Sequence, residues 1–466
     1  MISDQEHHQA YEFTRLIWVD YAGVRRCRVV PRKRFDDVSF AENGVALARA
    51  CLFLPSWGDA PPDHPLSSAT GEIRMIPDLE TLVPLPWNPS ERMVLVNMEF
   101  ENGEEVAFCP RTLLQRALKN LEEETGLRLM AGFESEFTLF NAPRPGDPKS
   151  KTLPSPVDTS VYCETSSFNA ASPVLGDICT ALEQLGQTVE QVHPESGPGQ
   201  FEIAVEYSDA LHAADSLIFR KETISSVAAQ HGMAASVLPK LYEDQAGNGC
   251  HVHLSLVDAV LHTSSMGRPA SDQRKEGSHG LSSLGEAFTA GILKHLQALM
   301  PFLAANPNSY HRIKPQCWSG AYTCWGINNR ETPIRLIEHP VRDEYRNIEL
   351  KTLDGTANPY LALAAIVAAG LSGIRQGLSL PEPVVGDPHN IGEVDREKQE
   401  IFPLASTLQE ALEGLDDDEE FRTILEEITG TGEHSVCDIY SAVKISESKH
   451  ISEELEKQVM QLWNRF

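Results

Sequence analysis

The chain has 466 residues, and 39 Lys and Arg against 67 Asp and Glu leave a formal net charge of −28. A chain this acidic repels phosphate backbones, which argues against nucleic acid or an anionic membrane as a partner. A hydrophobic fraction of 41%, with 17 Phe and 6 Trp, suffices for a large core and argues against wholesale disorder.

Taken in chain order, Met1–His8 lacks the basic and apolar regions of a signal peptide. Residues Phe13 to Phe35 predict a β-hairpin, with Leu16–Val19 and Arg28–Val30 flanking a turn at Ala22-Gly23. Short apolar runs, prolines and turn dipeptides continue over 45–105, as in a small β-rich domain. The pattern changes at Cys109-Pro110-Arg111. Leu113, Leu114, Ala117, Leu118 and Leu121 recur at helical spacing, with Pro110 at the start and Gly126 past the end. Strands and helices alternate from there, with loops expected at 142–160 and 258–280. The apolar run Leu361–Leu371 is shorter than the roughly 18 residues of a membrane span. Asp416–Glu420 reads as a solvated helix face. Nine cysteines without a C-x-x-C pair argue against a disulfide framework or zinc ribbon and fit a reducing compartment. A soluble cytoplasmic protein is expected.

Four segments alternate apolar and ionisable residues. Glu134 and Glu136 share one side of a strand, with Phe133 and Phe137 on the other. Glu202 and Glu206 lie opposite Phe201, Ile203 and Val205. His251, His253 and Ser255 face one way, as do Glu349 and Lys351. Period two places each set on one sheet face. A half-exposed sheet also alternates, but it would carry a mixture of Lys, Thr, Ser and Arg. Here Glu and His recur, with Glu195 just before the second segment. Converging carboxylates repel and titrate upward unless cations compensate them. Hard ions such as Mg²⁺ or Mn²⁺ suit such oxygen ligands, and one imidazole is tolerated best by Mn²⁺. Neither a Walker-type loop nor a dinucleotide-binding G-x-G-x-x-G is present. Gly197-Pro198-Gly199 and Gly247-Asn248-Gly249 are tight turns beside the charged strands, open to close approach by an anionic ligand. Arg312, Arg330, Arg335 and Lys351 are candidate cationic partners.

At these residues the chain resembles the glutamine synthetase family, particularly its glutamine-synthetase-like branch. The matching stretches are Gly132–Phe137, Glu195–Ile203, Pro239-Lys240, Ala246–Leu256, Asn306–Arg312, Asn329–Leu336 and Ile348–Leu361, in family order. The resemblance implies an α+β fold. It consists of a small β-grasp-like N-terminal domain (10–106) and a catalytic domain (107–466) with a curved antiparallel sheet flanked by helices. It also implies a ringed homo-oligomer with active sites between neighbouring subunits. By position, Glu136, Glu195 and Glu202 match the ligands of one metal ion, Mg²⁺ or Mn²⁺, and Glu134, His251 and Glu349 those of another. Glu136 also faces the substrate. His253 and Ser255 match nucleotide-contacting positions. Arg330 and Arg335 match arginines at the γ-phosphate of ATP, whereas Arg312 and Gly247 match positions that hold glutamate. The implied reaction activates a carboxylate as an acyl phosphate, which an amine then attacks.

Three departures from the family pattern fall at the acceptor end. Trp318 stands where ammonia-using members carry a flap glutamate that helps deprotonate ammonium. Ala246 replaces a substrate-contacting asparagine, and Lys351 replaces an arginine, keeping charge without bidentate geometry. No equivalent of the ammonium-site aspartate is visible in Ala48–Asp59. The resulting expectation is an ATP-dependent ligase joining the γ-carboxylate of glutamate, or a related acid, to an amine larger than ammonia. The alternatives are ordinary glutamine synthetase and a non-catalytic structural or signalling oligomer.

Overall fold

The computed structural model describes residues 11–68, 70–141, 153–159, 161–267, 279–338, 346–432 and 434–466. The expectations for Met1–His8 and for 142–152, 160 and 268–278 of the two loops lie outside the described residues.

The N-terminal alternation becomes the hairpin β1 (Phe13–Val19) and β2 (Arg25–Pro31), antiparallel with Phe13 opposite Pro31. Asp20 makes its turn, since Oδ1 accepts from the N–H groups of Ala22 at 3.0 Å and Val24 at 2.9 Å. Gly23 sits there at φ +87, so close to the Thr356 carbonyl that a Cβ would collide with it. Four further strands complete a six-stranded sheet: β3 (Val45–Ala48), β4 (Glu72–Pro77), β5 (Val83–Leu85) and β6 (Asn88–Glu99). Its order is β2-β1-β6-β4-β3, with β5 on β6 and β1 parallel to β6.

The helix over Pro110–Thr125 forms where periodicity placed it, with Pro at its first turn and Gly126 at φ +69 closing it. Then comes β7 (Leu127–Phe140), the central strand of a nine-stranded sheet. The others are β8 (Val189–Pro194), β9 (Gln200–Val205), β10 (Ser208–Asp209), β11 (Ala234–Ser236), β12 (Val252–Asp258), β13 (Trp325–Ile327), β14 (Ile334–Ile337) and β15 (Asn347–Leu350). The order is β13-β14-β15-β12-β7-β9-β8, antiparallel except for β13 with β14, and β10 and β11 also pair with β7. β7 changes partner along both edges: β10 at Met130 gives way to β9 from Glu134 on one, and β12 up to Phe133 gives way to β11 from Thr138 on the other. A strand this long twists, so successive partners curl the sheet. The fold is therefore the expected α+β arrangement, with helices packed against a curved sheet.

The apolar run Leu361–Leu371 lies in the buried helix Pro359–Gln376, at the centre of the core. No helix among the described residues is long and apolar enough to cross a membrane.

The acidic run is solvent-exposed at Asp416, Asp417, Glu419 and Glu420, as read from the sequence, and it sits at a helix junction where two of its acids also make contacts. Asp418 caps the helix Glu419–Thr429, accepting from Phe421 N–H at 3.0 Å, and meets His295 Nδ1 at 2.7 Å. Glu420 pairs with Lys294 at 2.8 Å and accepts from the Ser372 hydroxyl at 2.7 Å. These two acids neutralise and cap a helix junction.

Another tie joins the segment around Ser56 to a helix far along the chain. In the helix Val436–His450, Lys444 and Glu447 form a fully buried ion pair at 2.8 Å. Glu447 also accepts from the backbone N–H and the hydroxyl of Ser56. Trp57 stacks on His450 with ring centroids 3.9 Å apart.

Candidate active site

Sheet register builds the site. On one cross-strand row, Glu136 of β7 lies opposite Glu202 of β9, which lies opposite His193 of β8. On a second row, Arg335 of β14 lies opposite Glu349 of β15, which lies opposite His253 of β12. Directly opposed side chains on one face stand about 5 Å apart at Cβ, close enough to interact. Glu134 belongs to the same face of β7. The apolar partners of these residues, including Phe133, Phe137, Phe201 and Ile203, are buried on the reverse face.

Two clusters result. In the first, His253 Nε2 meets Glu134 Oε1 at 3.0 Å, while its Nδ1 meets Asn347 Oδ1 at 2.9 Å. His251 Nδ1 stands 3.5 Å from Glu134 and 3.3 Å from Glu349. Glu349 is 1% exposed, with Lys351 Nζ at 3.3 Å. Arg335 Nε lies 2.8 Å from Glu349 Oε2, but at an angle that makes no hydrogen bond. In the second cluster, His193 Nε2 lies 3.1 Å from Glu195 and 3.9 Å from Glu202. Glu136, beside it, accepts from the Gln200 amide at 2.8 Å and the Gly249 N–H at 2.9 Å.

The electrostatics of the clusters differ. Burial pushes the Glu134 and Glu349 carboxyls up, but histidine contacts outweigh it, joined at Glu349 by Lys351, and both end well below the carboxylate range. His253 is raised, because its bonds to Glu134 outweigh the effect of burial. Glu202 has no such relief. Burial, then Glu134, Glu136, Glu195 and Glu349, push its carboxyl up to about 9, and Glu136 is raised mainly by burial. Among the described residues, no Lys or Arg pairs with Glu195 or Glu202 within 4.0 Å. That shortage of positive charge, with carboxylates and imidazoles as donors and no cysteine among them, fits hard divalent cations.

These groups line a cavity of about 590 Å³. It holds Glu134, Glu136, Glu195, Glu202, Gly247, His251, Arg312, Trp318, Arg330, Arg335, Glu349 and Lys351. His253 lies just behind Glu134. Ser255 sits on the same face of β12, opposite Met130 and outside the cavity wall. Glycine is needed where the chain passes under the ligands: a Cβ on Gly249 would stand 2.5 Å from His251 Nε2 and 3.0 Å from Glu136 Oε1. Arg312 is anchored by the carbonyls of Lys351 at 2.8 Å and Leu353 at 3.0 Å. Trp318 is 57% exposed on the cavity wall, at φ +53, with the Arg330 guanidinium 5.9 Å above its ring.

The structure groups residues differently from the sequence expectation in two respects. Glu134 and Glu349 have ligand atoms within 4.8 Å of His253 as well as contacts to His251. Glu195 and Glu202 gather around His193, with Glu136 alongside. Sequence reasoning missed His193, Gln200, Lys240 and Tyr162 as cavity residues. His193 carried a usable signal, because it is two residues before Glu195 and so shares its parity.

Comparison with known proteins agrees with this geometry. The model of the glutamine synthetase catalytic domain matches residues 107–462. With the curved sheet and charged cavity, this defines the protein as an ATP-dependent ligase that makes C–N bonds. The chain belongs to the glutamine synthetase family, whose members use ATP and divalent metal ions. It is 33% identical over 387 residues to type-1 glutamine synthetase 1 of Dictyostelium discoideum, covering 80% of this chain and 76% of the relative. It is 32% identical to the gamma-glutamylpolyamine synthetase GlnA3 of Streptomyces coelicolor, covering 93% and 89%. A solved GmaS/ADP complex superposes with a TM-score of 0.77 at 28% identity, over 96% of each chain.

Proposed function

We propose that this ligase joins the γ-carboxylate of glutamate, or a closely related acid, to an amine larger than ammonia. The observation that carries the reading is Trp318, half exposed on the cavity wall beside Arg330. An indole cannot take a proton from ammonium, but its face packs against an alkyl or aromatic amine and attracts its charge. The name of the Streptomyces relative, a gamma-glutamylpolyamine synthetase, supports an acceptor other than ammonia.

Two divalent ions, Mg²⁺ or Mn²⁺, are assigned to the two clusters. Glu134, Glu349 and a histidine would hold one, and Glu195, Glu202 and Glu136 the other; when bound, they screen charge on the transferring phosphoryl group. Arg330 and Arg335 reach into the same cavity, where their guanidinium groups stabilise that charge from the protein side. Arg312, fixed by backbone carbonyls, holds the carboxylate of the acid substrate, and Gly247 leaves room for it. Lys351 adds a second cation there. His253 and Ser255, outside the cavity lining on the same face of β12, are assigned to the nucleotide. A carboxylate oxygen of the acid attacks the γ-phosphorus of ATP, the bond to the β-phosphate oxygen breaks and ADP leaves, giving an acyl phosphate. The amine then attacks the acyl carbon, and phosphate leaves. Trp318 and Arg330 close the acceptor side against water. The working form is a cytoplasmic ringed homo-oligomer built from a 10–106 and a 107–466 domain.

The test is phosphate release from ATP with Mg²⁺ or Mn²⁺ and glutamate, adding ammonia or each of a panel of mono-, di- and aromatic amines. An amine-dependent rate with the matching γ-glutamyl amide as product supports the reading. The ordinary glutamine synthetase reading is favoured by the Dictyostelium relative's name. Ammonia matching the best amine would establish it instead.

A further inference from the structure

We propose that His193 is itself a metal ligand, completing a Glu195–Glu202–His193 position, and that its imidazole makes this position prefer Mn²⁺ to Mg²⁺. The inference rests on the assignment of divalent ions to the cavity and adds to it a ligand and a selectivity.

The geometry points to it in three ways. First, register places His193 on the ligand row, opposite Glu202 and two strands from Glu136. Second, one nitrogen is shared between two carboxylates: Nε2 stands 3.1 Å from Glu195 Oε1 and 3.9 Å from Glu202 Oε1. Ligand bonds of about 2.1 Å put neighbouring ligands on an octahedral ion about 3.0 Å apart and opposite ones about 4.2 Å apart. Both spacings fall in that range. A histidine serving only to orient Glu195 would aim at that carboxylate alone. Third, the edge-to-face contact with Tyr162, centroids 5.7 Å apart, holds the imidazole against the second cluster. Neither Glu195 nor Glu202 has a Lys or Arg partner within 4.0 Å among the described residues. The position therefore offers the carboxylates of Glu195 and Glu202, with Glu136 alongside, and one imidazole nitrogen. Mg²⁺ binds oxygen almost exclusively and keeps its waters, whereas Mn²⁺ accepts imidazole readily.

The experiment measures ion binding on the full-length protein without turnover: Mn²⁺ by electron paramagnetic resonance and Mg²⁺ by calorimetry. Wild type is compared with His193→Ala, His193→Gln and Glu202→Gln. The proposal expects both His193 variants to weaken one Mn²⁺ by at least about tenfold, while Mg²⁺ affinity changes less than about threefold. The ¹⁴N modulation of the bound Mn²⁺ signal falls in parallel. Equal weakening of both metals would make His193 an orienting residue, and unchanged Mn²⁺ binding would remove it from the site; either overturns the proposal. Glu202→Gln separates this from the underlying assignment. If that variant keeps both ions at full affinity, the metal reading of the cluster is wrong, whatever His193 does.

Discussion

Glu202 sits among other carboxylates with His193 as its nearest basic group, and its carboxyl is pushed from the ordinary 4.5 to about 9. The consequence for stability has a definite sign. A carboxyl raised on folding contributes stability that is complete below its unfolded pKa and is lost as pH rises through the folded value. Without divalent ions, this group therefore destabilises the fold progressively from about pH 5 to pH 9, while bound cations remove the penalty. The rise in melting temperature on adding Mn²⁺ should be larger at pH 8.5 than at pH 6, and scanning calorimetry checks it. An equal rise at both pH values would place the ions elsewhere. Glu349 is the opposite case, a buried carboxylate kept charged by His251 and Lys351. Glu349→Gln keeps the shape and removes the charge. It should lower the rate of phosphate release by at least about a thousandfold while leaving the fold intact, as read by circular dichroism. Wild-type turnover in that variant would contradict the role given to this cluster.

Among the elements, the strands were legible because their alternation is strict. Phe133, Phe137, Phe201 and Ile203 on one face and Glu134, Glu136 and Glu202 on the other leave a single reading. The helix from Pro110 to Gly126 was equally plain, having a proline start, a 3.6-residue period and a glycine stop. Register was not legible, since no local signal says that Glu202 faces His193 or that Glu349 faces His253. The prominence of His253 has the same origin. β12 begins at Val252, so His251 precedes the regular ladder, and its position depends on how Gly249 and Cys250 pass beneath it. The roles of Asp418 and Glu420 depend on His295 and Ser372, which are distant in sequence. Gly249 offers a test at this scale. Gly249→Ala forces His251 Nε2 or Glu136 Oε1 to move and should cost about 1–3 kcal/mol in chemical denaturation. It should also weaken divalent-ion binding, and unchanged affinity would mean the loop can shift freely.

At the scale of the whole molecule, the segment around Ser56 and the helix Val436–His450 are held together through a buried charge. Lys444 and Glu447 are fully buried, and Glu447 binds Ser56 in the segment that leads out of β3. Removing one partner leaves an uncompensated charge in the core, a loss of about 3–5 kcal/mol. Lys444→Met should show it in denaturant unfolding, and a loss under about 1 kcal/mol would mean that the pair is not what couples the two regions. The −28 net charge divides in the same spirit. A few of its acids, Glu134, Glu136, Glu195, Glu202 and Glu349, converge on one cavity, and others such as Asp418 and Glu420 join helices. On the proposed reading the metal and phosphate residues are retained, while the acceptor end is rebuilt around Trp318. The most direct measurement is the ratio of kcat/KM for the best amine to that for ammonia, in wild type and in Trp318→Glu. The account predicts a wild-type ratio well above one, about a hundredfold, that falls at least about tenfold in the variant. A wild-type ratio near one, or a ratio unmoved by the substitution, would contradict it.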